Sequence, residues 1–245
     1  MNLFIKGGDE SMYDAFIAVM PVSLWVIAVL EAVLTVLLFR QYGQKKRDKM
    51  PFLMGLVAFG LFYDALILAL GTVLKEGGLL SALSQLRYVF HLLLIPLTFP
   101  ICAMALKLKP NMMKIIWLVT LGVILLGTVC GFFVHTEARE VGGVMRYAQS
   151  GDTNGFVSLI QDLSNYIPVF LIIGVGVIVI VKQKTPHLFL SGLLMLAFTL
   201  LGIFFGKSPN GDKAKSLMFF ISMFGELFMA LFFLLYARDK RRTEK

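Results

Sequence analysis

FYDALILALG (residues 62–71) and LSQLRYVFHLLLIP (residues 83–96) decide how the rest of the chain is to be taken. Both stretches are mostly apolar, as membrane-spanning segments must be, yet they carry Tyr63, Asp64, Arg87, Tyr88 and His91. An acid, a guanidinium and an imidazole cost free energy in hydrocarbon unless they find partners or a wet cavity. The two stretches therefore read as transmembrane helices that also carry a site.

Working outward, the composition agrees. Of 245 residues, 58% are hydrophobic and only 16% charged, with a mean hydropathy of +0.82. Soluble domains carry charge on about a quarter of their residues. Seven apolar runs follow one another, at about 14–39, 51–74, 84–106, 113–134, 158–181, 186–206 and 216–236. Each has about 20 to 26 residues, enough at 1.5 Å per residue to cross a hydrocarbon core of about 30 Å. Membrane strands would be shorter and would alternate in polarity. The expected fold is an all-α integral membrane protein: a seven-transmembrane helix bundle forming a single domain over 1–245, with no soluble domain.

The net charge of +8 does not point to nucleic acid, because the cations sit at the ends of apolar runs. Taking alternate connections, one side has fifteen cations (five in 40–49, three in 107–114, Lys182 and Lys184, five from Arg238 on) against three acids. The other side has eight cations against nine acids. Positive charge stays on the cytoplasmic side, so the N-terminus is expected outside and the C-terminus in the cytoplasm. The N-terminal flank, with Lys6 before Asp9 and Glu10, lacks the charge pattern and cleavage site of a signal peptide. The first helix is expected to stay. Cys102 and Cys130 fall inside apolar runs and read as small buried hydrophobes, not as a disulfide or metal pair. No metal and no cofactor is expected. The basic tail RDKRRTEK anchors the topology and would attract anionic lipid.

Three acids lie deep in apolar runs: Glu31 in the first helix, Asp64 in the second and Glu226 in the seventh. Asp64 and Glu226 are each about ten residues from a helix end, hence about 15 Å deep. Arg87 and His91 are four residues apart and share a helix face. A short connection makes helices two and three antiparallel neighbours, so Asp64 is expected to pair with Arg87 or His91. Alone, Arg87 would snorkel towards the surface. Tyr63 is adjacent to Asp64, about 100° away around the helix. Gln161, Asp162, Asn165 and Tyr166 form a second polar patch that would decorate the outer mouth of a cavity or simply solvate a helix end. Pro96 and Pro100 are expected to bend the third helix. His187 reads as a surface residue at a cytoplasmic helix start. The pairs Gly127/Gly131 and Gly202/Gly206 suit close helix packing. The one long connection, 135–156, would be either a lid over the cavity or a solvated excursion.

The pattern Tyr63-Asp64, Gly71, Leu86-Arg87, His91, Pro96 resembles one seen in small multi-helix bacterial membrane proteins of no assigned function. It covers about 35 residues. The resemblance implies a multi-pass protein of the bacterial cytoplasmic membrane and no particular activity. A retinal pigment needs a lysine in the last helix, and 216–236 has none. The zinc-dependent membrane hydrolases need several deep histidines, and only His91 is deep. Integral-membrane terpene cyclases are similar in size and in their use of buried acids, but their aromatic-acid motifs are absent. Lysoplasmalogenase-like proteins have eight helices and a different acidic arrangement.

Three functions follow from these residues. The first is a transporter or receptor for a small or lipophilic molecule, with Asp64, His91 and Glu226 as binding or proton-relay groups supported by Glu31, Arg87 and Tyr63. The second is an intramembrane enzyme acting on a lipid or isoprenoid through a buried general acid, although no nucleophile, metal or phosphate-binding motif is present. The third is a structural subunit of a membrane complex, in which the same residues only fix helix packing and a partner subunit is expected. The lipid bilayer is a partner in all three.

Overall fold

The computed structural model describes residues 3–44, 48–206 and 211–239, with side chains for 14–44, 48–202 and 217–239. The charges counted at Lys6, Asp9, Glu10, 45–47, 207–215 and 240–245, and the surroundings of Gly206, lie outside the residues with described side chains.

Among the described residues, eight α-helices form the body of the molecule. They are α1 (Leu3–Gln44), α2 (Met50–Leu70), α3 (Gly78–Leu94), α4 (Thr98–Ala105), α5 (Pro110–Phe132), α6 (Gly155–Gln183), α7 (His187–Gly206) and α8 (Gly211–Arg238). Local chemistry marks the boundaries. Pro51 and Pro110 open α2 and α5, where a missing N–H costs nothing. The side chain of Asn154 caps α6 by accepting from the Phe156 amide at 2.8 Å. Lys184 closes α6 in the left-handed conformation, φ +56°.

The third predicted span is bent, as its prolines require. One 3₁₀ turn, Ile95–Leu97, separates α3 from α4. Pro96 cannot donate to the helical ladder, and the Thr98 hydroxyl donates to the Ile95 carbonyl at 2.8 Å.

Among the described residues, six helices are long and apolar enough to cross a membrane: Asp14–Gln44, Met50–Leu70, Gly78–Ala105 with its bend, Pro110–Phe132, Gly155–Gln183 and Leu217–Arg238. The sixth expected segment, 186–206, forms α7, whose part with described side chains, His187–Gly202, is apolar as well. Only 22% of the apolar window of α5 is buried, and Leu118, Leu125 and Val129 point away from the bundle. A contiguous apolar face of this kind belongs in lipid. The chain is a polytopic helical membrane protein.

Close helix contacts fall where side chains vanish. A Cβ on Gly127 would lie 3.1 Å from the Leu92 carbonyl oxygen, and one on Gly131 3.0 Å from Val89 Cα. This small-residue pair seats α5 on α3. Gly176 does the same for α6 against the backbone of Phe189 on α7. At the end of the bundle formed by the close of α6, Tyr236 is fully buried and donates to Gln183 Oε1 at 2.9 Å. Gln183 in turn donates to the Ala105 carbonyl at 2.7 Å, so α4, α6 and α8 are tied together. His187 is only partly buried there, with Nε2 3.7 Å from Asp239.

The long connection is neither featureless nor helical. It forms an antiparallel hairpin, β1 (Thr136–Val141) and β2 (Val144–Gln149), the one departure from an all-α fold among the described residues. Gly142 and Gly143 both have positive φ (+55° and +74°), the requirement of a two-residue hairpin turn matching strand twist. The hairpin lies on the bundle end. Val144 is fully buried among Met20, Leu24 and Phe220, the Met145 amide donates to the Gly71 carbonyl at 2.8 Å, and the Tyr147 hydroxyl meets the backbone of Gly77. We call this the hairpin end.

Candidate functional site

Helices α2 and α3 are joined by a short turn and pack side by side, which brings Asp64 to Arg87. Arg87 Nε lies 2.9 Å from Asp64 Oδ1, with the side chains only 12% and 15% exposed. The guanidinium also donates to the Tyr88 hydroxyl at 3.3 Å and sits 5.1 Å from its ring centroid. Of the two partners open to Asp64, the structure takes the arginine. Arg87 turns inward to the acid instead of snorkelling, because a buried carboxylate offers a charge-assisted hydrogen bond within reach.

His91 is one turn deeper, on the same face. It lies beside Asn165 of α6 and stands between two cavities. The smaller, about 180 Å³, is bordered by Asp64, Arg87 and Tyr88 on one side and by Gln161, Asp162 and Asn165 on the other. The larger, about 380 Å³, lies between α6, α7 and α8. His91, Asp162 and Asn165 border both, so the ion pair and the larger cavity share one polar wall.

Helix α8 lines the larger cavity with Phe219, Ser222, Glu226 and Met229, spaced three and four residues apart on one face. Glu226 is 4% exposed, and its Oε2 has no hydrogen-bond partner among the described residues. Helix α6 contributes Asp162, Asn165, Tyr166 and Val169 at the same spacing. The patch expected at a cavity mouth thus borders real cavities, although its members differ. Gln161 is buried and borders only the smaller cavity, and the half-exposed Tyr166 borders only the larger.

Two candidates stand apart. Tyr63 donates to the Leu83 carbonyl at 3.2 Å, packs edge-on against Phe90 at 4.8 Å, and lines neither cavity. Glu31 also lines neither. It is fully buried, with neither carboxyl oxygen hydrogen-bonded among the described residues, yet near enough to Asp64 and Glu226 for the charges to interact.

The sequence reading did not single out Arg146. It projects from β2 into the larger cavity, its guanidinium carbon 4.1 Å from the Phe219 ring centroid, a cation–π distance. Nε has no hydrogen-bond partner among the described residues. Burial first, then the nearby charge of Arg87, pushes its pKa below the usual arginine value, though an arginine stays charged at neutral pH. The available signal was Gly142-Gly143 flanked by Val141 and Val144, a hairpin signature that places Val144, Arg146 and Ala148 on one face.

Among the described residues no three His, Cys, Asp or Glu converge as metal ligands, and both cysteines are free and buried. A scan of protein-family models finds no match to this chain, and a search of curated proteins finds none either. The arrangement of the site suits binding: an unpaired cation near the hairpin, an unpaired acid farther in, and a polar wall between them.

Proposed function

We propose that this polytopic protein binds a small molecule in the larger cavity and carries it across the cytoplasmic membrane, in a seven-span bundle with its N-terminus outside. The observation that carries this reading is Glu226, a nearly fully buried carboxyl on the wall of a 380 Å³ cavity. Cavities of about 300 Å³ and more take small ligands, and a carboxyl buried at such a wall is costly unless it finds a partner.

The asymmetry of Lys and Arg supports the orientation. With the N-terminus outside, the hairpin covers the outer mouth and Arg146 stands at the entrance. The wall of His91, Asp162 and Asn165 then links the entrance to the Asp64–Arg87 pair, which suits a coupled proton.

Native mass spectrometry of mildly solubilised protein, wild type beside Glu226→Gln, tests the reading. A small molecule retained by wild type and lost from the variant is the expected result. Identical spectra, with both forms equally folded and neither retaining a molecule, would sink it.

A further inference from the structure

The Gln183 side chain, donating to the Ala105 carbonyl at 2.7 Å, holds the turn between α4 and α5 against the turn between α6 and α7. Within two residues of that bond lie Lys107, Lys182 and Lys184, and Lys109 is two residues further along. All four are exposed, and neither 107–109 nor 182–187 contains an acid. None of them borders either cavity.

Cations are ordinary at helix C-termini and at one end of a membrane protein. The backbone beneath these is not ordinary. Among the described residues, Lys107 and Lys184 are the only non-glycine residues with positive φ, +55° and +56°. Lys107 follows α4 at the left-handed position of its closing turn: its amide donates to the Met104 carbonyl at 3.0 Å, and the Leu108 amide to the Ala103 carbonyl at 3.2 Å. Lys184 closes α6 with its amide on the Ile180 carbonyl at 3.0 Å. Glycine takes such positions without strain. A lysine strains the backbone there and gains only its side chain. Two such lysines, on helices joined by one hydrogen bond, give this patch a geometry that general charge asymmetry does not require.

The surface beside the lysines is apolar. Met112 and Ile115 at the start of α5, and Ile178 and Val181 at the end of α6, are 41% to 66% exposed. Both helices pack against α4. A cationic rim next to lipid-facing side chains is complementary to an amphiphile with a negative head. We infer that the two turns form a binding site for an anionic phospholipid, its phosphate held by Lys107, Lys109, Lys182 and Lys184 and its acyl chains lying along α5 and α6. Lysine ammonium groups meet a phosphate as compact point charges. The bound lipid bridges the same two turns that Gln183 joins, so it stabilises the folded chain.

The test uses the purified full chain, stripped of lipid in mild detergent, and three probes: short-chain phosphatidylglycerol, phosphatidylcholine with the same chains, and glycerol phosphate. Binding is read by thermal shift and by the lipid retained in native mass spectra. Phosphatidylglycerol is expected to bind at least about tenfold more tightly than phosphatidylcholine, since each cation beside anionic lipid is worth roughly fivefold. Lys107→Gly/Lys184→Gly suits the left-handed backbone and is expected to abolish that preference. Lys109→Gln/Lys182→Gln, which touches no left-handed position, is expected to weaken it as well. Arg40→Gln/Lys49→Gln removes two cations from the same end of the bundle and is expected to leave it unchanged. The inference is overturned if the two phospholipids bind alike or if neither lysine variant weakens the preference. It is overturned equally if the Arg40/Lys49 variant loses as much as the lysine variants, or if glycerol phosphate displaces phosphatidylglycerol.

Discussion

Arg87 Nε and Asp64 Oδ1 are 2.9 Å apart between α2 and α3, and each is the other's principal compensation inside an apolar bundle. Removing one partner leaves an uncompensated buried charge. Asp64→Asn should therefore lower stability by about 3 kcal/mol. The double variant Asp64→Asn/Arg87→Gln, with no charge to orphan, should recover most of it. Denaturant unfolding in detergent across the full double-mutant cycle measures both. Additive losses would mean the pair is not the interaction that matters.

Much of this was legible from residue order and some was not. The helices were, because runs of apolar residues of fixed length have few other uses. That Asp64 would be paired was legible as well. The choice of Arg87 over His91 was not, since both lie on one face and only the packing of α6, which brings Asn165 to His91, separates them. The hairpin was only half legible. Gly142-Gly143 between two valines marks the turn, but Glu137, Arg139 and Glu140 left the connection open between a lid and a solvated excursion. The burial that fixes it comes from Val144 and from α1 residues more than a hundred positions away.

Gly71 tests how firmly the hairpin is seated. Its φ of −61° is open to any residue, so glycine is needed here for closeness alone: a Cβ would run into the Met145 carbonyl oxygen. Gly71→Ala should push β2 off the end of α2 and break the bond from the Met145 amide to the Gly71 carbonyl. Hydrogen exchange at Met145 is expected to speed up at least about tenfold, equivalent to about 1.4 kcal/mol or more of lost protection. Unchanged exchange would mean that the hairpin is held elsewhere.

Gly131 distinguishes internal packing from self-association. Its would-be Cβ meets Val89 Cα of the same chain at 3.0 Å, and its carbonyl accepts from Gln85 Nε2 at 2.7 Å. Gly131→Leu should overpack the α3–α5 seam and cost about 1–3 kcal/mol while leaving the oligomeric state unchanged. Unfolding measured beside light scattering reads both quantities. A change in oligomeric state at constant stability would instead place the glycine pair in an interface between copies.

At the opposite end from the hairpin, Tyr236 tests a buried hydrogen bond. Its ring is fully enclosed, so Tyr236→Phe keeps the packing and removes the donor to Gln183 Oε1. That oxygen then loses its tyrosine partner while Gln183 Nε2 stays bound to the Ala105 carbonyl. The expected loss is about 1–2 kcal/mol. Gln183→Leu should cost at least as much, because it also strands the Ala105 carbonyl beside the end of α4. If the bridge is what joins α4, α6 and α8, the double variant costs little more than Gln183→Leu alone, since both substitutions cut the same chain of bonds. Full additivity in denaturant unfolding would show instead that the tyrosine and the glutamine act separately.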